Sequence, residues 1–156
     1  MTKILKYLAI GLVALFLIGQ FIRPSFTNPP VNPDERVEAS VEVPPEVAAI
    51  LNRSCRDCHT NETAYPWYSK ITPLNWWLKN HIDEGRRELN FSSWGSYTPK
   101  RKDKKLEELC EQVDSGAMPL PSYLWAHRDA ALTADDAKLL CGWATSVRQS
   151  LNVVPQ

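Results

Sequence analysis

Cys55-Arg56-Asp57-Cys58-His59 is the stretch on which the reading of this chain turns. The spacing C-x-x-C-H is that of c-type haem attachment. Two thiols one helical turn apart can add to the two vinyl groups of one porphyrin, and the adjacent imidazole then lies where it can bind iron. Other chemistries need more than this chain supplies. A thioredoxin-like pair sits near a βαβ pattern, and no alternating strand is legible here. A structural zinc site needs two further Cys or His at short spacing, whereas the remaining ones are scattered. A plain disulfide across two residues leaves His59 without a role. The motif therefore predicts one covalent haem c per chain, held by Cys55 and Cys58, with His59 as proximal axial ligand.

The iron has a second axial position, and three residues compete for it. Met118 is the only methionine beyond Met1, in Ser115-Gly116-Ala117-Met118-Pro119-Leu120-Pro121. It follows a helix stop and leads into a proline-stiffened loop, as in small class I cytochromes c, so it is the expected distal ligand. A hydrophobic plug is its plainer role. His81, on a predicted helix beside Trp77, is the alternative ligand, with a satisfied semi-buried histidine as its ordinary reading. His127, beside Arg128-Asp129, reads as solvated. A Met/His pair favours electron transfer, while an open position permits ligand binding or peroxide chemistry.

Around the motif the periodicity is helical, and the expected fold is a small all-α, cytochrome c-like domain around the haem. Pro45 opens a short helix ending at the cysteines. Thr72-Pro73 and Thr98-Pro99 each offer an N-cap followed by proline at the first helical position. The first predicts a helix from Leu74 to about Leu89 that buries Trp77, Leu78 and His81 or Ile82. The second predicts a helix through Leu106, Leu109, Cys110 and Val113, stopped by Gly116. Thr133 caps a last helix whose stripe is Leu140, Trp143, Ala144, Val147 and Leu151. Tyr65, Trp67, Tyr68, Trp76, Trp77, Phe91 and Trp94 offer flat walls for a porphyrin, and Arg86 and Arg87 are candidate partners for its propionates. Cys110 and Cys141 are an even remainder, which outside the cytoplasm suggests a disulfide, with two unpaired buried thiols as the alternative.

Upstream, the chain changes character. Its 156 residues carry 18 basic and 18 acidic side chains, a net charge of zero that excludes the basic footprint of a nucleic-acid binder. Residues 1–23 hold Lys3, Lys6 and Arg23 with no acid, so the remainder is net acidic. From Tyr7 to Ile22 there is no charge, giving the cationic n-region and apolar h-region of an export signal. Its end, Leu17-Ile18-Gly19-Gln20-Phe21-Ile22-Arg23, lacks the small residues of a cleavage site. An uncleaved transmembrane signal anchor over 1–23 is expected, a cleaved signal peptide being the alternative. Lys3 and Lys6 put the N-terminus in the cytoplasm and the body outside the bacterial inner membrane, in the periplasm. Residues 24–44 hold Pro24, Pro29, Pro30, Pro33 and Pro44, read as an extended tether. The haem domain is then 45–152.

With these residues in view, a resemblance can be stated. The run Cys55-Arg-Asp-Cys-His-Thr-Asn-Glu-Thr, then Tyr65-Pro-Trp-Tyr, Trp76-Trp-Leu-Lys-Asn-His81, Glu84-Gly-Arg-Arg-Glu-Leu-Asn-Phe-Ser and Met118-Pro-Leu-Pro-Ser-Tyr resembles the bacterial haem-binding domain family. These are small c-type cytochrome-like proteins, commonly with an N-terminal membrane anchor. The resemblance covers Val43 to Arg148 and implies covalent haem on Cys55 and Cys58 with His59 as axial ligand. It names a cofactor and no reaction. The expected function is one-electron transfer between redox partner proteins of the periplasm or membrane, and no catalytic constellation marks an enzyme. A peroxidase-like haem enzyme or ligand sensor with an open distal site is the alternative.

Overall fold

The computed structural model describes residues 2–153, and every regular element among them is helical. The all-α expectation holds. Eight α-helices are present: α1 Thr2–Gly19, α2 Val37–Ser40, α3 Pro45–Ser54, α4 Arg56–His59, α5 Leu74–Glu88, α6 Pro99–Asp114, α7 Pro121–Leu124 and α8 Ala134–Val153. Short 3-10 turns lie between them.

Local chemistry explains the helices that carry the core. Thr98 Oγ1 accepts from the Arg101 N–H and Pro99 takes the first turn of α6, where no N–H is required. Beyond Ser115, Gly116 at φ 70° ends the run in the left-handed region that glycine enters freely. At the start of α8, Thr133 Oγ1 accepts from the Asp136 N–H while Asp136 Oδ2 accepts from the Thr133 N–H, a reciprocal cap. The stripe Leu140, Trp143, Ala144, Val147 is buried against Leu106 and Leu109 of α6. Val47, Ile50 and Leu51 of α3 close the third side, and Leu89, Phe91, Trp94 and Tyr97 come from the connection between α5 and α6. Each such side chain contributes about 1.5–3 kcal/mol by leaving water.

Helix α5 departs from its predicted start and face. Pro73 itself occupies the cap position, and Thr72 Oγ1 accepts instead from Asn75 Nδ2. The buried face is Asn75, Leu78, Ile82 and Gly85, leaving Trp77 exposed and His81 half-buried. The reason is the neighbour: α5 packs on α4 and on the 3-10 turn Trp67–Lys70 rather than on the main core. Helix α4 is thereby enclosed between α5 and the main core.

Residues 24–44, expected as an extended tether, lie against the domain. The chain is largely extended but packed. Asn28 Nδ2 donates to the Thr63 carbonyl at 3.1 Å, Asn61 Nδ2 donates to the Pro30 carbonyl at 3.1 Å, and the Phe26 ring meets the Tyr65 ring edge-on. Val37 is fully buried in the main core, and Trp143 Nε1 donates to the Glu42 carbonyl. Residues 24–32 carry no regular structure, yet amide and apolar side chains along the segment bind it to the domain.

Helix α1 ends at Gly19, short of the predicted Arg23. Eighteen residues rise about 27 Å, against a hydrocarbon layer of about 30 Å. Among the described residues no helix is long and apolar enough to cross a membrane.

Candidate functional site

Helix α4 is the C-x-x-C-H motif in folded form. Cys55 is the residue between α3 and α4, so one thiol leaves the end of the first helix and the other leaves the single turn that follows. The His59 N–H donates to the Cys55 carbonyl at 3.0 Å, closing that turn. Helix α5 lies directly on it: a Cβ placed on Gly85 is 2.8 Å from the Cys58 carbonyl oxygen. Only glycine permits that approach, which explains a residue otherwise unfavourable inside a helix.

His59 Nδ1 donates to the Leu89 carbonyl at 2.9 Å. Engaging Nδ1 fixes the tautomer that leaves Nε2 available to a metal. Burial holds the imidazole below the ordinary histidine range, partly opposed by that backbone contact. Burial also pushes the Cys55 thiol up to about 12 and the Cys58 thiol up to about 11, so both are protonated at neutral pH.

Two cavities meet at this motif. One, of about 290 Å³, is bounded by Cys55, Cys58, His59, His81, Met118 and Tyr123. The other, of about 450 Å³, is bounded by Cys55, His59, Leu89, Phe91, Leu109 and Met118. Cys55, His59, Glu88 and Met118 line both. The buried Ser54 hydroxyl, beside the first cysteine, lacks a hydrogen-bond partner and faces the smaller cavity. Met118 reaches the site because its N–H donates to the Gln112 carbonyl at 3.0 Å, folding the loop back onto the end of α6.

The predicted residues therefore divide. Cys55, Cys58, His59, His81 and Met118 all line the smaller cavity, and of these Cys55, His59 and Met118 line the larger one as well. His81 also meets the Trp77 ring edge-on at 4.5 Å. His127 is neither solvated nor at the cavity: its Nε2 pairs with the Tyr68 hydroxyl at 3.0 Å and its ring stacks on Tyr123. Arg86 is committed elsewhere. Its Nε donates to the Thr60 carbonyl, and its Nη2 donates to Asn28 Oδ1 and Thr63 Oγ1, which ties 24–44 to the motif's exit loop. Arg87 makes only exposed, loose pairs with Glu84 and Glu88. Cys110 and Cys141 lie across the α6–α8 contact with their thiols within hydrogen-bond reach; both are free, and burial with the neighbouring sulfur pushes Cys110 up to about 12.

Several neighbours of the site lie within the quoted motif runs, yet the sequence assigned them no role. Leu89 contributes through its carbonyl, which no side-chain pattern reveals. Tyr123 donates to Asp57 Oδ2 at 2.7 Å, joining α7 to one of the two residues between the cysteines, sixty-six positions earlier. Asn90 Nδ2 donates to Asn61 Oδ1 and the Asn61 N–H donates to Ser92 Oγ, a buried polar seam behind His59. Among the described residues Lys105 is the one Lys or Arg lining the larger cavity, held by Glu88 and Glu108.

Among the described residues no group of three or more His, Cys, Asp or Glu side chains is placed to hold a metal ion unaided. The pattern suits a metal that arrives in its own macrocycle and takes one or two protein ligands. The chain matches the haem-binding domain family over residues 14–146. No curated protein and no solved structure matches it.

Proposed function

From the premise that this chain belongs to the haem-binding domain family and binds haem, we propose that it is a monohaem c-type cytochrome carrying single electrons outside the cytoplasmic membrane. The observation that carries the reading is the convergence of Cys55, His59 and Met118 on both cavities. The residues present fit the group. Cys55 and Cys58 would hold the haem through thioether bonds, His59 Nε2 and Met118 Sδ would bind its iron, and Leu89, Phe91 and Leu109 would give the apolar wall. Bound there, the haem would supply a one-electron couple, and a thioether ligand such as Met118 would raise its potential. Lys105 lines the larger cavity but is held by Glu88 and Glu108, so it would reach the ring's carboxylates only by exchanging those partners.

Helix α1 alone is too short to cross a membrane. On our reading residues 1–23 together, with Phe21 and Ile22 extending the apolar run past its end, act as a single-pass anchor with the N-terminus in the cytoplasm. Its support is the surface of α1, whose apolar side chains from Ile4 to Ile18 are all exposed, continued by Phe21 and Ile22. An apolar surface this large on a soluble monomer marks a membrane or protein contact. Cys110 and Cys141 bridge in that oxidising compartment.

An optical spectrum with mass analysis of the holoprotein tests the reading. The chain should gain one haem that resists acid-acetone extraction, and Cys55→Ala with Cys58→Ala should abolish that gain. Met118→Ala should shift the reduced spectrum and open the iron to carbon monoxide, while His81→Ala should leave the axial pair unchanged. A native protein that binds carbon monoxide readily, with an unchanged spectrum in Met118→Ala, favours instead the peroxidase-like reading, in which His81 faces the open side.

A further inference from the structure

The end of α1 is fastened to the folded body. Gln20 Nε2 donates to the Thr72 carbonyl at 3.0 Å, and the Thr72 N–H donates back to Gln20 Oε1 at 3.0 Å. Both ends of one side-chain amide are thus spent on one backbone residue, which fixes orientation as a single contact cannot. A Cβ on Gly19 lies within van der Waals distance of Thr72 Cγ2, so the helix end and this corner approach closely.

Thr72 is the corner between the turn Trp67–Lys70 and α5. Around that corner the large apolar side chains lie open to solvent: Trp67 is 74% exposed, Leu74 46%, Trp76 47% and Trp77 40%. Leu74, Trp76 and Trp77 fall within one helical turn, so they point to different sides at nearly the same height along the axis. They form a collar around the end of α5, beside the point where α1 arrives. Arg23 and Lys70 are exposed close by in the chain, and Arg23 Nε donates to the Gln20 carbonyl.

Indole rings with an apolar body and an N–H donor prefer the boundary between acyl chains and headgroups, and long cationic side chains reach from that boundary toward phosphate. We propose that Trp67, Leu74, Trp76 and Trp77 seat the haem domain on the lipid surface at the foot of α1. The proposal rests on the reading of α1 as an anchor and deepens it. The domain is held against the bilayer instead of swinging on a tether. His81 follows Trp77 by four residues, a rise of about 6 Å, and lines the haem cavity. The haem edge is then presented close to the headgroups, which selects a redox partner that itself lies at the membrane surface.

The test uses full-length ferric holoprotein labelled with 5-fluorotryptophan in nanodiscs of phosphatidylcholine and phosphatidylglycerol, with resonances assigned by single Trp→Phe substitutions. A nitroxide near the headgroup end of the acyl chains should erase the Trp67, Trp76 and Trp77 signals, and an aqueous gadolinium chelate should spare them. The buried Trp94 and Trp143 should ignore the lipid label. Loss of the three signals to the aqueous chelate alone overturns the collar, as does protection from both probes, which means that protein covers the face. Carbonate extraction of the same chain from vesicles separates the two ideas. A chain that stays with the lipid while the collar signals respond to water keeps the anchor and loses the collar; a chain that washes off loses both.

Discussion

A single hydrogen atom in place of a methyl group lets α5 lie on the cysteine turn. At Gly85, an added Cβ comes within 2.8 Å of the Cys58 carbonyl and 3.0 Å of Cys58 Cβ, and the nearest obstacle is backbone, which cannot rotate aside. Gly85→Ala should therefore displace α5 from α4 and cost about 1–3 kcal/mol, the usual penalty for overpacking. The denaturation midpoint measures that cost, and the haem-to-protein ratio should fall with it. Tyr123→Phe probes the opposite wall. Losing its bond to Asp57 leaves a half-buried carboxylate short of a donor, expected to cost about 1.5–3 kcal/mol in a denaturant titration of the holoprotein. Because α7 follows the Met118 loop directly, the same variant should weaken the distal bond and raise carbon monoxide binding.

Among the elements, α6 and α8 form the longest helical contact, and the two remaining thiols sit across it. A bridge between Cys110 and Cys141 closes 31 residues and should add about 3–4 kcal/mol on the chain-entropy account. Oxidised protein should show no thiol that titrates under denaturation, and Cys110→Ser with Cys141→Ser should lower the midpoint by that amount. These helices were also the most legible in the chain. Thr98-Pro99, Gly116 and Thr133 mark their ends through chemistry confined to one turn, and a stripe of period 3.6 marks their buried faces. Helix α5 was less so, because Thr72 is engaged by Gln20 and Asn75 instead of capping, and those partners are fixed only by tertiary structure. At the site the same division holds. Cys55, Cys58, His59 and Met118 are read from residue type and spacing, whereas the Leu89 carbonyl and the commitment of Arg86 depend on contacts across distant parts of the chain.

At the scale of the molecule, the proline-rich segment changes what the domain is. Sequence composition describes its backbone correctly, since prolines do keep 24–32 out of regular structure. It says nothing of docking, which rests on isolated side chains: Asn28 shared between Thr63, Tyr65 and Arg86, and Val37 filling the main core. The bond from Trp143 to the Glu42 carbonyl and the close approach of Gly95 to the Glu35 backbone fix the same strap at further points. Two truncations separate a strap from a leash. Removing residues 1–23 should leave a haem domain with nearly the full denaturation midpoint, because that cut spares the strap. Removing 1–44 should uncover the core and lower the midpoint sharply. Val37→Ala within the full chain should by itself cost about 2 kcal/mol, the usual worth of a buried valine side chain. If both truncations and the point substitution leave the midpoint unchanged in holoprotein, the segment contributes no stability and serves only as a spacer.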